Sequence, residues 1–161
     1  MEISKMPSGT FISTQIVASL VERQFRKKFF KDIIKITEVI EDFSDMVAVV
    51  GDVAIFPNNE KRPDIIIFTN NPELLFIFEA KLWWPNDCQL REYINLAKKT
   101  YPSATIKAFH LIYVDSERIE LKDKIERNEI ECQVVFLSDF IDIIPMPQQG
   151  LIRKELEISN N

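Results

Sequence analysis

Two short segments constrain this chain more than any other feature: Ile65-Ile-Ile-Phe68 and Leu74-Leu-Phe-Ile-Phe78 are apolar at every position. A strand with one wet face alternates apolar and polar residues, so unbroken runs of this kind predict strands covered on both faces. Asn70-Asn-Pro72 between them and Pro57-Asn-Asn59 before them are turn signals, and Met46 to Phe56 reads as a preceding strand. Three consecutive strands, a meander packed between helices, are the expected result.

The remaining segments supply those helices. From Thr10 to about Lys35, Ile12, Ile16 and Leu20 recur at four-residue spacing beside Val17, Val21 and Phe25, which predicts one long amphipathic helix capped by Ser8 or Thr10. Gln15, Ser19, Glu22 and Arg26 form a narrow polar stripe along it. A helix from Gln89 to Thr100, a strand from Ile106 to Val114, a helix from Ser116 to Asn128, a strand from Cys132 to Leu137 and a short helix begun by Ser138 follow. The order α-β-β-β-α-β-α-β-α predicts an α/β fold with a central mixed β-sheet flanked by helices. One domain over residues 1–161 is expected, with flexible ends at about 1–8 and 148–161.

Composition narrows the function classes. With 161 residues, 46% of them hydrophobic and 28% charged, the chain is large enough to form one core without disulfides or a structural metal. Three glycines leave no glycine-rich phosphate loop, and no apolar run approaches a membrane span, so a cytoplasmic protein without a membrane partner is expected. Cys88 and Cys132 lie outside any Cys-x-x-Cys spacing and predict core or half-buried thiols, with no zinc or iron–sulfur set. A net charge of −5 argues against indiscriminate binding to nucleic acid. Residues 1–36 nevertheless carry a net +4, with Arg23, Arg26, Lys27, Lys28 and Lys31 clustered. Such a cluster is either a solvated helix face or a local basic surface.

The chemistry lies where charge meets the apolar strands. Asp64 opens one run, and Glu79 and Lys81 close the next. Residues two apart on a strand share a face, so Glu79 and Lys81 project together, and a hairpin sets Asp64 beside Glu79. Two adjacent carboxylates repel and are stabilised by a divalent cation, with oxygen ligation suiting Mg²⁺ or Mn²⁺. The Ala80 carbonyl offers a third protein ligand. A lysine alongside can orient or deprotonate a water and offset charge on a phosphoryl group, a combination suited to phosphodiester hydrolysis. An ordinary strand-end salt bridge accounts for the same three residues.

Pro63-Asp64, followed fifteen residues later by Glu79-Ala80-Lys81, resembles the bipartite motif of the PD-(D/E)XK nucleases, the restriction-endonuclease-like superfamily. Gln89-Leu-Arg-Glu-Tyr93 is similar to the Gln-x-x-x-Tyr element of RecB-type members and of type I restriction nuclease domains. The resemblance covers about Thr10 to Leu137. It implies a restriction-endonuclease-like core and a Mg²⁺-dependent phosphodiesterase, with Mn²⁺ as substitute, acting on DNA as an endonuclease. By the same resemblance Asp64, Glu79 and the Ala80 carbonyl hold the metal, Lys81 serves the water, and Gln89 and Tyr93 lie near the scissile phosphate. Many members add an acid from the first helix; Glu22 is the candidate here, with Glu38, Glu41 and Asp52 as further ones. Glu22 and Arg26 at i,i+4 are equally a surface ion pair.

Arg23, Lys27, Arg62 and Arg91 are candidate phosphate contacts, joined by Lys61, Lys98 and Lys99. Trp83 and Trp84 either stack on bases, form a subunit interface or cover the core. His110, the single histidine, falls inside an apolar strand, where a core imidazole is expected rather than a catalytic one. The alternative function is an accessory subunit that keeps the nuclease fold without its activity. RNA stays open as a substrate, and a homodimer or a partner protein is expected to supply specificity.

Overall fold

The computed structural model describes residues 8–36, 46–50, 56, 61–70 and 73–160, excluding the side chains of Val49 and of residues 158–160. Glu38, Glu41 and Asp52 lie outside the described residues, as does the stretch 51–55 of the expected first strand.

Five strands form one mixed sheet in sequence order. β1 (Val47–Val50), β2 (Ile65–Asn70) and β3 (Glu73–Lys81) are antiparallel neighbours, the meander the apolar runs predict. β4 (Thr105–Ile112) and β5 (Gln133–Phe136) add in parallel, so each needs a crossover. Helices α3 (Asp87–Thr100) and α4 (Arg118–Glu126) provide these. The protein is therefore an α/β sandwich with helices against a mixed sheet.

Alternation divides the strand residues between two cores. Ile65, Ile67, Phe76, Phe78, Phe109 and Leu111 face α1 (Gly9–Ser19) and α2 (Arg23–Lys28), through Ile12, Ile16 and Phe25. Ile66, Leu75 and Ile77 face α3, meeting Leu90, Tyr93 and Ala97. Burial on both sides is why β2 and β3 carry no alternating pattern.

The single long helix expected from Thr10 to Lys35 is broken. α1 is capped by Ser8, whose Oγ accepts the Phe11 N–H at 3.2 Å, and ends at Ser19. Residues 20–22 turn, and α2 begins with Glu22 as its cap. A π-helical turn, Phe29–Ile33, follows, and its wider winding admits the consecutive rings of Phe29 and Phe30 to the core. Lys35 closes the segment at φ 52°.

Residues 148–160, within the end expected to be flexible, are helical. Gln148–Asn160 form α5, with Ile152 buried in the core and Glu155 accepting the Ser8 N–H at 2.8 Å. The short helix expected at Ser138 is reduced to two 3₁₀ turns, Leu137–Asp139 and Ile141–Ile143. Among the described residues no helix is long and apolar enough to cross a membrane.

Candidate active site

Pairing of Ile65 with Phe78 sets the preceding and following residues, Asp64 and Glu79, side by side where β2 begins and β3 nears its end. Asp64 Oδ2 accepts the Ala80 N–H at 2.7 Å. Glu79 is 3% exposed, and its Oε1 accepts from Lys81 Nζ at 3.0 Å. Glu79 and Lys81 continue the parity of Leu75 and Ile77, so both stand on the α3 face. The structure thus gathers Asp64, Glu79 and Lys81 in one place.

Backbone alternation brings in Ala80. The Lys81 carbonyl accepts the Tyr113 N–H at 3.1 Å and so faces β4. The two polar groups of one strand residue point the same way, and neighbours point oppositely, so the Ala80 N–H and carbonyl both face the β2 side, toward Asp64.

This cluster is electrostatically strained. Burial, and then the Asp64 charge, push Glu79 up to about 7, against the pull of Lys81. Burial also raises Asp64, opposed by the Ala80 N–H and by Lys81. Among the described residues Glu79 Oε2 is buried and meets no hydrogen-bond donor. One ammonium therefore serves two crowded anions, and an acceptor is left over. A divalent cation fits this donor set: it would satisfy the orphaned oxygen and cancel the repulsion.

Helix α3 delivers two more of the expected residues. Asn86 caps it, accepting the Gln89 N–H at 3.2 Å, and the first turns lie over the sheet. Gln89 Nε2 donates to Tyr93 Oη at 3.1 Å, and Tyr93 Oη in turn reaches the Arg62 carbonyl at 3.4 Å. Tyr93 is raised by burial first, with the charges of Glu79 and Asp64 contributing, which puts its hydroxyl in their field.

Glu22 is not brought to this cluster. Its Oε1 and Oε2 accept the Gln24 and Phe25 N–H groups at 2.9 and 2.6 Å, and these bonds lower its pKa, the Phe25 bond most. It caps a helix that packs on the other face of the sheet, and its carboxylate is taken up there by backbone N–H groups.

The candidate phosphate contacts separate. Arg91 is held by Glu131, and by Asp87 at 3.8 Å, and is committed to the protein. Arg23 and Lys27 are exposed on α2, away from the acidic pair. Arg62 is exposed beside Tyr93. Lys61 pairs with Glu92. Trp83 and Trp84 are 38% and 41% exposed beyond β3, and the Lys124 ammonium lies 5.5 Å from the Trp84 ring centroid.

A second polar cluster was not anticipated. His110 pairs in register with Glu79 and is fully buried, and its Nε2 lies 2.6 Å from Asp87 Oδ1. Asp87 Oδ2 accepts the Glu131 N–H at 2.8 Å, and Cys132 completes the group. Burial lowers His110 despite Asp87, so the ring is neutral at neutral pH, and burial raises the Cys132 thiol. Cys88, expected as a core or half-buried thiol, is exposed, and Cys132 is half-buried. The signal available in the sequence was His110 itself, an imidazole amid Ala-Phe and Leu-Ile. Its partners lie too far along the chain to be named from it.

Comparison with protein-family models, with curated proteins and with solved structures finds no match to this chain.

Proposed function

We propose that this protein is a metal-dependent nuclease with a restriction-endonuclease-like core that hydrolyses DNA phosphodiester bonds. One observation carries the reading: two crowded carboxylates, Asp64 and Glu79, stand at the ends of paired core strands with Lys81 on Glu79 and one Glu79 oxygen unbonded. A structural salt bridge needs one acid for one ammonium. The second acid, half-buried Asp64, accepts the Ala80 N–H but adds a charge beside Glu79 that a salt bridge does not require, and that crowding costs stability.

Asp64, Glu79 and the Ala80 carbonyl would hold Mg²⁺ or Mn²⁺. When bound, the cation supplies charge stabilisation for a phosphoryl group under in-line attack. Lys81 would orient a water at its ammonium and offset charge building on the phosphoryl group, while the Gln89–Tyr93 pair, reaching over from α3, positions the substrate strand. Arg62, exposed two residues before Asp64 with its carbonyl 3.4 Å from Tyr93 Oη, is the candidate phosphate contact this reading uses.

Calorimetry with Mn²⁺ together with Mg²⁺-dependent cleavage of plasmid, linear and branched DNA tests this. The parent protein should bind Mn²⁺ and cut at least one substrate, and Asp64→Asn should do neither. Binding without cleavage of any DNA or RNA would favour the accessory-subunit reading, and absence of Mn²⁺ binding would remove the metal from the site.

A further inference from the structure

We infer that Asp87, His110 and Cys132 form a second metal site, one for a borderline transition-metal ion, Zn²⁺ above all. One ligand atom from each of the three residues lies within 4.8 Å of the others. The residues come from three different elements: the first turn of α3, the middle of β4 and the segment entering β5. Convergence of an imidazole, a carboxylate and a thiol from separated elements is the donor mixture that Zn²⁺ takes and Mg²⁺ does not. It is unlike the all-oxygen set at Asp64 and Glu79, and the inference does not depend on the nuclease reading.

The Arg91 guanidinium lies against Asp87, at 3.8 Å, and against Cys132, so an ion has to displace it from both. His110 Nε2 faces Asp87 Oδ1 at 2.6 Å, so an ion entering here takes the place of the proton between them, with modest separation of the two groups. Among the described residues nothing holds His110 Nδ1, so the ring proton can reside there while Nε2 ligates. Asp87 is fixed from behind, as metal ligands usually are, by the Glu131 N–H at 2.8 Å. Three protein ligands leave a fourth, tetrahedral position for water. Cys132 lines a cleft of about 390 Å³ with Glu131, Gln133, Ile94 and Lys107, open at the sheet edge where β4 extends beyond the start of β5.

Occupation would tie α3, the helix that bears Gln89 and Tyr93, to two strands of the sheet. That is a clamp on the geometry of the neighbouring cluster rather than a further reaction.

Titration of the full chain with Co²⁺ as a coloured stand-in, and with Zn²⁺, decides the matter without any activity assay. One equivalent of Co²⁺ should produce tetrahedral d–d bands and a thiolate-to-metal charge-transfer band, and one equivalent of Zn²⁺ should displace it and raise Tm. Cys132→Ser should abolish the charge-transfer band and weaken binding at least about 10-fold. Asp87→Asn should weaken binding with the band retained at saturation. Cys88→Ser, which alters the exposed thiol beside Asp87, should leave the titration unchanged, and Asp64→Asn should leave the charge-transfer band unchanged. A band that persists in Cys132→Ser, a band lost in Cys88→Ser, or Co²⁺ uptake without stoichiometric saturation would each overturn the site.

Discussion

The two faces of the sheet are built on opposite terms. Against α1 and α2 the packing is aromatic and dry: Phe29 meets Phe25, Phe78 and Phe140 at ring-centroid distances of 5.7, 6.0 and 5.2 Å. The polar pair of Ser13 and Tyr113 buried there is satisfied, its oxygens 2.5 Å apart. Against α3 the same strands carry Asp64, Glu79 and His110 on adjacent positions, and two of the three buried side-chain polar atoms without a hydrogen bond among the described residues, Glu79 Oε2 and His110 Nδ1, stand there; the third, Arg26 Nε on α2, belongs to a guanidinium that donates to the Leu20 carbonyl at 3.0 Å. Satisfied polar groups are what stability selects, and orphaned ones are what it penalises. The first face holds the fold together; the second departs from that standard where the chemistry is proposed.

Substitutions should therefore sort by face, and the largest effects show it most directly. Phe76 is fully buried on the aromatic face, and Phe76→Ala should cost about 3–5 kcal/mol of stability, read from denaturant unfolding. Lys81→Ala removes the ammonium from a buried carboxyl, so it should cost some stability, less than Phe76→Ala because Glu79 can hold a proton instead, and lower kcat about 10²- to 10⁴-fold with Mg²⁺ present. If Lys81→Ala instead unfolds the protein and spares cleavage, the division between the faces is wrong.

A smaller effect has an unusual sign. Glu79 is raised from its ordinary 4.5 to about 7, by burial first and by Asp64 second. Between those values the native state holds a proton that the unfolded state has released, so stability falls as pH rises through this window. Glu79→Gln keeps the neutral form at every pH. It should be indistinguishable from the parent at pH 4 and more stable at pH 8 by on the order of 2 to 3 kcal/mol, while losing Mn²⁺ binding. Thermal unfolding across pH checks this, and a destabilised variant at pH 8 would mean that Glu79 acts as a structural partner of Lys81.

How far each face could be read from sequence follows from the range of the interactions involved. β2 and β3 were legible because their signals are local: apolar runs, bounding turns, and charges at the run ends that a hairpin must bring together. Asp64, Glu79 and Lys81 came with them, and Gln89 and Tyr93 were named from the resemblance to a Gln-x-x-x-Tyr element, whose four-residue spacing sets both on one helix face. The cluster of Asp87, His110 and Cys132 was not legible, because two parallel crossovers set its register and no local pattern encodes them. α5 was missed for a related reason. Its start lies just after Pro145 and Pro147, which read as terminators, and its packing partner α1 is at the other end of the chain. Counting cysteines could not detect a site that uses only one.

Glu22 separates the faces at the finest scale. Apolar periodicity runs through it unbroken from Ile12 to Phe25, so a sequence reading carries the helix across and turns the carboxylate into a candidate for catalysis. The structure stops α1 at Ser19 because an acid at position 22 can bond two orphan N–H groups and open a new helix, which costs nothing in burial at an exposed site. Glu22→Gln should therefore lower Tm by a few degrees at pH 7 and leave Mn²⁺ binding and cleavage rates unchanged. The folded carboxyl sits below its ordinary 4.5, so this contribution is complete above that value and disappears as pH falls through the lowered one. The Tm difference between parent and variant should accordingly close in acid, the reverse of the Glu79→Gln profile. A loss of cleavage without any loss of Tm would return Glu22 to the active site and place a catalytic group on the face that otherwise only supports the fold.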